Sequence, residues 1–192
     1  MTNPTEIIPV GQATNGKIKV LVEEIDANSI PQLKIDPEIK QLCKPLGEEE
    51  LRILENDIRE RGCIDPIIFW EDQYIIIDGH NRHDICIKYG KPYKCVGMSF
   101  ESKEDAMNYV IDHQLGRRNL SELEKSYLRG KRYLNEKKAP HRPSDQELHQ
   151  TEVLPGETAE RIAKLSGVSS ATIERDANLA EALDKVRNVV GD

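Results

Sequence analysis

The feature that most restricts the fold of this chain is a pair of short β-rich runs with a predicted helix directly after them. The runs cover residues 66–70 and 74–78, and only three residues separate them. Because such short spacing is typical of a hairpin, the runs predict paired antiparallel strands. Residues 79–89 then have helical spacing and stop at Gly90, a common helix terminator. The first half of the chain is therefore expected to contain a strand–turn–helix unit.

The rest of the chain alternates helices, strands and irregular segments. The apolar pattern predicts strands over residues 17–25 and 93–100, and helices over 48–61, 102–114, 121–138 and 158 to about 190. Residues 31–45 are expected to be irregular. Ser102 and Ser121 each precede an acidic residue by three positions, the pattern of a capping box that opens a helix.

These elements predict an α+β fold class with two domains. A polar stretch containing three prolines separates a mixed N-terminal part from a helical C-terminal part. The expected segments are a flexible leader (1–16), an α+β domain (17–115), a basic helical connector (116–139), a linker (140–155) and an all-α helix-turn-helix domain (156–192).

The composition favours a globular protein over a disordered or membrane one. Hydrophobic residues make up 38% and charged residues 32% of the chain, and no apolar run approaches the ~20 residues of a spanning helix. Residues 1–10 lack the basic and apolar regions of a secretory signal. The four cysteines have no metal-binding spacing. We therefore expect a cytoplasmic protein with reduced thiols and no membrane partner.

Charge is distributed unevenly along the chain, although the net charge is −7. Residues 1–112 carry −8, residues 113–142 carry +6 and residues 143–192 carry −5. A basic segment between two acidic ones is typical of contact with phosphates, and a solvated helix face is the alternative interpretation. The acidic total therefore does not exclude a nucleic-acid partner.

The turn between the second β-rich run and the helix has the chemistry of an anion site. Its sequence is Asp-Gly-His-Asn-Arg, from Asp78 to Arg82. The first turn of a helix has unpaired backbone N–H groups and the positive end of the helix dipole. Gly79 lets a ligand approach the backbone, and the Arg82 guanidinium adds donors that suit a phosphate. The alternative is an ordinary turn in which Asp78 or Asn81 caps the helix.

Three boxes of sequence resemble the N-terminal domain of the ParB/sulfiredoxin superfamily. They are residues 62–68 (GCIDPII), 76–88 (IIDGHNRHDICIK) and 113–124 (HQLGRRNLSELE). The resemblance covers about residues 17–140 and implies a nucleotide or phosphate pocket between the second and third boxes. ParB partition proteins bind and hydrolyse CTP there with magnesium. Other branches are sulfiredoxins, kinases of free serine and ParB-like nucleases.

The resemblance implies CTP, or another nucleotide with magnesium, as the ligand of this pocket. The phosphate-binding residues that it implies are Gly79, His80, Asn81, Arg82, Arg117, Arg118, Asn119 and Glu124. The chain departs from the family at His113 and Gln114, which replace a Glu-Asn pair that helps to hold magnesium. Since an imidazole and an amide are poor ligands for this hard cation, we assign no metal ligand. His80 stands at the position of the sulfiredoxin cysteine, which argues against peroxiredoxin repair.

Because three histidines lie near the implied pocket in the sequence, an enzyme is an alternative to a binding protein. His80, His83 and His113 would bind a transition metal or transfer protons if they met. Polar pocket or surface positions are the simpler interpretation, and no catalytic residue is assigned.

Residues 158–176 fit a helix-turn-helix. Ile162, Ala163 and Leu165 are expected to form the buried face of its first helix, and Gly167 the turn. The residues expected to contact DNA are Ser169, Ser170, Thr172 and Arg175 of this motif and Lys125, Arg129, Lys131 and Arg132 of the basic segment. Because Glu174 and Asp176 flank Arg175, a helical bundle for protein contact is the alternative.

The leading hypothesis is a ParB-like DNA-binding protein. Its N-terminal domain would bind a nucleotide or phosphate, and its role would be plasmid or chromosome partition, maintenance or transcription control. The expected partners are double-stranded DNA, a nucleotide and a second copy of the chain. The alternatives are a nuclease or nucleotide-dependent phosphotransferase on the same pocket, and an adaptor that uses both domains for protein contact.

Overall fold

The computed structural model describes residues 20–26, 32–138 and 157–190. The predicted leader (1–16) and linker (140–155) lie outside the described residues. The chain divides into two compact units, residues 1–106 and 107–192, and each is described by itself.

The described residues of the first unit form four strands and three helices. They are β1 (Val20–Asp26), α1 (Pro37–Leu42), α2 (Glu48–Arg61), β2 (Ile67–Trp70), β3 (Ile75–Asp78), α3 (His80–Tyr89) and β4 (Lys94–Met98). The strands form one sheet in the order β1-β4-β2-β3. The predicted hairpin is confirmed, since β2 pairs antiparallel with β3, and β2 pairs parallel with β4. The parallel pair needs a long crossover, and α3 lies within it.

Two clusters of buried side chains form the core of this unit. Ile67, Phe69 and Ile76 of the hairpin and Cys95 of β4 are almost fully buried in one cluster. A second cluster joins α2 to α3 through Ile58, Ile85 and Cys86. The sequence boundaries of α2 and α3 are confirmed within one residue, and Gly62 and Gly90 end them with positive φ angles of 83° and 60°.

Residues 31–45 are not wholly irregular, because α1 lies within them. Asp36 caps this short helix: its carboxylate accepts hydrogen bonds from the backbone N–H groups of Glu38 at 2.9 Å and Ile39 at 3.3 Å. Ile39 and Leu42 are buried. A helix of 6 residues with two apolar side chains gives too few repeats for periodicity to detect.

The second unit is helical. Its helices are α4 (Lys103–Leu115), which begins within the first unit, and α5 (Glu122–Lys138), α6 (Glu157–Ser166) and α7 (Ser170–Val190). Residues 116–139 were expected to form a connector, but α5 packs along α7 as a central helix of this unit. The boundary between the units also falls inside α4 rather than at residue 115.

The packing of α5 on α7 leaves no room for a side chain at Gly130. A Cβ atom there would lie 2.1 Å from the backbone oxygen of Asp176. The two helices therefore approach each other backbone to backbone at this point. None of the described helices is long and apolar enough to cross a membrane.

Candidate functional site

The turn from β3 into α3 requires glycine at position 79. Gly79 has a φ of 94° and a ψ of 21°, the left-handed conformation that disfavours other residues. A Cβ atom there would lie 3.1 Å from Nη2 of Arg82 and 3.3 Å from Cγ1 of Ile67. Gly79 is also the N-cap of α3, a place that we had alternatively assigned to Asp78 or Asn81. The side chains of Arg82 and Ile67 therefore lie against the backbone at the start of α3.

Arg82 is held in a fixed position across this turn. Its Nη2 donates to the carbonyl oxygen of Pro66 and to Oδ2 of Asp78, both at 3.0 Å. Its side chain remains 22% exposed. Because two partners fix the guanidinium, its remaining donors have a defined direction.

His80 is a buried polar residue in the first turn of α3. It is 5% exposed, and its Nε2 has no hydrogen-bond partner among the described residues. Its Nδ1 lies 3.9 Å from Sγ of Cys43. Burial, and then the charge of Lys40, lower the pKa of His80 to about 4. The imidazole is therefore neutral at pH 7.

The first turn of α3 thus contains several polar groups that hydrogen bonds do not satisfy. Besides Nε2 of His80, the buried Nε of Arg82 has no partner among the described residues. The first backbone N–H groups of a helix also lack intrahelical acceptors. Buried donors without acceptors are costly, so this turn has the chemistry of a site for an oxyanion.

His80 and His83 lie in the first unit, whereas His113 lies in the second. His83 is buried in α3, with its ring 5.6 Å from that of Tyr93 in an edge-on contact. His113 belongs to the second unit, where its exposed ring stacks on Tyr109 at 6.3 Å. Among the described residues, no three His, Cys, Asp or Glu side chains are placed to hold a metal.

The residues at the magnesium position of the family do not fit that ion. Gln114 is 1% exposed and His113 is an imidazole, whereas magnesium prefers exposed carboxylate oxygens and water. The residues present therefore do not suit a magnesium site of the family type.

The third sequence box lies in the second unit. Ser121 and Glu124 form the predicted capping box of α5: Oγ of Ser121 accepts from the backbone N–H of Glu124 at 3.2 Å, and Oε2 of Glu124 accepts from that of Ser121 at 2.6 Å. The Glu124 carboxylate thus has a local structural partner. Arg118 and Asn119 are exposed and Arg117 is half-buried. A pocket that joins these residues to the Gly79–Arg82 turn stays a prediction.

Two of the predicted DNA contacts on α5 need correction. Nε of Arg129 donates to Oδ2 of Asp176 at 2.7 Å, with the side chains only 10% and 7% exposed. Arg132 is equally buried and forms ion pairs with Asp112 and Glu136. Because these guanidinium groups have carboxylate partners inside the unit, they join helices rather than face solvent.

Two lysines of α5 were predicted to contact DNA, and one of them pairs with another helix of the unit instead. Nζ of Lys131 lies 2.9 Å from Oδ2 of Asp184 on α7, and its side chain is 14% exposed. Lys125 is more open and pairs with Glu122 at 2.7 Å on the same helix. The basic segment therefore presents fewer available cations than its sequence suggests.

Helices α6 and α7 are joined by a three-residue turn at Gly167, whose φ is 67°. Ile162 and Ala163 are buried as predicted, and Ile173 of α7 is buried in the same cluster. Leu165 was expected to join this face but is 65% exposed. Oγ of Ser169 accepts from the backbone N–H of Thr172 at 3.2 Å and caps α7. The helix-turn-helix motif and its role in DNA binding both stay predictions.

The predicted reading face of α7 is accessible. Ser169 and Arg175 are exposed, and Ser170 and Thr172 are half-buried. The sequence also placed Asp176 beside Arg175 as a competing negative charge. The structure buries Asp176 against Arg129, so that this carboxylate is withdrawn from the exposed face.

The geometry defines an α+β protein with a glycine–arginine turn at a helix start. No family model and no curated protein matches the sequence. Two solved structures of a pNOB8-like ParB N-domain are similar to it. One has a TM-score of 0.56 and 20% identity over 93% of this chain and 76% of its own. The other has a TM-score of 0.55 and 23% identity over 88% of this chain and 67% of its own.

The chain therefore has the fold of these ParB N-domains. A chromosome-partitioning protein ParB from Caulobacter crescentus, truncated at its C-terminus and complexed with CTP-gamma-S, is a more distant match. Its TM-score is 0.38, with 22% identity over 76% of this chain and 72% of its own.

Proposed function

We propose that this chain is a ParB-like DNA-binding protein whose first unit binds a phosphate group of a nucleotide at the start of α3. Its role would be the partition or maintenance of a plasmid or chromosome, or transcription control. The observation that carries the proposal is the Gly79–Arg82 turn, where a fixed guanidinium and unsatisfied buried nitrogens meet a helix N-terminus.

Phosphate suits this turn for electrostatic reasons. The helix dipole and the backbone N–H groups favour an anion, and Gly79 brings the Arg82 guanidinium close to the backbone at the start of the helix. Arg82 already donates to Asp78, so a bound phosphate would share the guanidinium with that carboxylate. The neutral His80 can donate through one ring nitrogen without adding charge.

Helices α6 and α7 are the part of the chain that we expect to contact DNA. Ser169, Thr172 and Arg175 lie on its accessible side, and Ser170 starts α7. Arg129 and Arg132 are not included, because they are buried in ion pairs. Because Arg129 and Arg132 of α5 are engaged in buried ion pairs, we expect weak binding to random DNA and reliance on a preferred sequence.

Calorimetric titration with CTP, ATP and GTP, each with and without magnesium, tests the nucleotide proposal. Arg82→Gln should weaken binding of the preferred nucleotide by about 10- to 100-fold, the usual effect of one charge-assisted hydrogen bond. Lys88→Gln is the matched control, since Lys88 lies on the same helix but pairs with Glu55 on the surface, and it should leave binding unchanged. Absence of binding to any nucleotide by the folded wild-type protein would contradict the proposal.

A phosphate-release assay in the same conditions distinguishes a binding module from an enzyme. Steady release that Arg82→Gln or His80→Gln abolishes would favour the hydrolase or phosphotransferase alternative. Binding without turnover would support the binding module.

Fluorescence anisotropy with labelled duplexes tests the DNA proposal. Wild-type protein should bind random duplex weakly at low salt and lose affinity as salt rises. Arg175→Ala should weaken binding about tenfold, whereas Lys185→Ala, an exposed residue farther along α7, should have a smaller effect. Folded protein that binds no duplex at low salt would overturn this part.

A further inference from the structure

Three of the four cysteines lie close together in the first unit, although they are scattered in the sequence. Cys63 follows α2, Cys86 lies on α3 and Cys95 lies on β4. Cys63 packs against the cluster that Ile58, Ile85 and Cys86 form between α2 and α3. The side chain of Cys63 also contributes to raising the pKa of the Cys86 thiol. The two side chains are therefore neighbours in the reduced protein.

The two thiols differ in accessibility. Cys86 is 1% exposed, and burial, followed by the neighbouring Cys63, raises its pKa to about 12. Cys63 is only half-buried, and its Sγ lies 3.4 Å from the carbonyl oxygen of Asp65, to which it donates. A small oxidant from solvent would therefore reach Cys63 first.

The remaining cysteines are less suitable partners. Cys95 is fully buried in the other cluster, against Ile67 and Phe69. Cys43 lies beside His80 and Ile39, and it is not a member of the cluster that contains Cys86. Cys63 and Cys86 thus belong to one cluster, whereas Cys95 belongs to the other.

We propose that Cys63 and Cys86 form a reversible disulfide bond when the protein meets a hydroperoxide. The Cys63 sulfur attacks one peroxide oxygen, the O–O bond breaks, and the other oxygen leaves as an alcohol or as water. Cys63 is then a sulfenic acid. The Cys86 sulfur attacks the Cys63 sulfur and displaces hydroxide, which takes the Cys86 proton and leaves as water. Two thiols are oxidised by two electrons and one peroxide is reduced.

The disulfide bond would connect two segments that position Arg82. Cys86 lies one helical turn after Arg82 on α3, and Cys63 lies three residues before Pro66, whose carbonyl oxygen accepts from Arg82. Oxidation would therefore join the segment between α2 and β2 covalently to α3. Such a loop closure should raise the melting temperature by about 5–10 °C.

Peptide mapping tests this pairing directly, because trypsin separates all four cysteines. Cys63 falls in peptide 62–82, Cys86 in 83–88, Cys95 in 95–103 and Cys43 in 41–52. After treatment of the folded protein with one equivalent of hydrogen peroxide and alkylation of free thiols, we expect peptides 62–82 and 83–88 to be linked. The linked species should have lost two hydrogens, about 2 Da, and dithiothreitol should restore both thiols.

Two variants separate this pairing from general oxidation. Cys63→Ser should abolish the link and the rise in melting temperature, whereas Cys43→Ser should retain both. The proposal is overturned if Cys63 links to Cys95 or Cys43, if only intermolecular disulfides form, or if Cys63 becomes a sulfinic acid while Cys86 is alkylated as a free thiol.

Discussion

Arg82 in the first unit and Arg129 in the second show how differently the two units use an arginine that pairs with an aspartate. Arg82 is 22% exposed, donates to Asp78 and Pro66, and keeps its buried Nε without a partner among the described residues. Arg129 is 10% exposed, and its Nε is bonded to Asp176. The first arrangement leaves donor capacity for a ligand, while the second uses it to join two helices. The geometry of the partners therefore decides whether a cation serves binding or packing.

The first prediction concerns the buried ion pair of the second unit. Asp176→Ala leaves the Arg129 guanidinium buried without its carboxylate, and this should cost about 3–5 kcal/mol of unfolding free energy. Urea unfolding followed by circular dichroism measures the change. Glu174→Ala, an exposed acid two residues earlier, is the control and should change stability little. Equal effects of the two variants would show that the pair does not hold α5 to α7.

The second prediction addresses the close approach of the same helices. Gly130→Ala places a Cβ atom 2.1 Å from the oxygen and 2.5 Å from the carbon of the Asp176 carbonyl group, so that α5 and α7 must separate. We expect a loss of about 2–4 kcal/mol in urea unfolding. At Gly116 the nearest atom would be 3.5 Å away, and Gly116→Ala should be nearly neutral. Stable Gly130→Ala protein would contradict the packing described.

The third prediction concerns the pH dependence of stability that the buried His80 causes. The pKa of His80 is about 4 in the folded protein and about 6.5 in the unfolded chain, so the unfolded state binds more protons between these values. Stability is therefore complete above pH 6.5 and falls as the pH drops towards 4. We expect a loss of about 2 kcal/mol between pH 7 and pH 5 through this residue.

Paired variants isolate the contribution of His80. Urea unfolding of His80→Asn should show a weaker dependence on pH over this range than wild type. His113→Asn, which changes an exposed imidazole, should retain the wild-type dependence. If both variants keep the wild-type dependence, the buried imidazole is not its source.

The fourth prediction separates backbone strain from side-chain contact at the turn. Gly79 and Gly62 both have positive φ, but a Cβ at Gly79 would press on Arg82, whereas one at Gly62 would meet nothing within 4 Å. Gly62→Ala should cost about 1 kcal/mol, and Gly79→Ala about 1–2 kcal/mol. Only Gly79→Ala should weaken nucleotide binding in calorimetry. Wild-type affinity in Gly79→Ala would argue that the ligand does not approach this turn.

Local signals explain what the sequence predicts well. The short interval between two β-rich runs predicts the β2–β3 hairpin, and the capping pattern at Ser121 predicts the start of α5. The glycine and arginine of the turn also identify the candidate anion site, because their spacing within one helical turn brings them together. In each case the interacting residues lie within a few positions of one another.

Long-range partners explain what the sequence does not predict. Arg129 meets a carboxylate 47 positions later, so nothing near it in the sequence indicates burial. The burial of Asp176 is hidden for the same reason. Leu165 has helical spacing with buried neighbours, yet it lies outside the contact between α6 and α7 and is exposed. Charge and periodicity describe one helix, whereas burial depends on which helix packs against it.

Amide chemical-shift mapping on isotopically labelled protein tests the central claim most directly, because it compares both units in one titration with CTP. The account predicts that the N–H signals of His80, Asn81 and Arg82 shift first and saturate, while those of residues 170–176 on α7 do not move. Shifts confined to α7, or spread over surface lysines without saturation, would contradict a phosphate site at the start of α3.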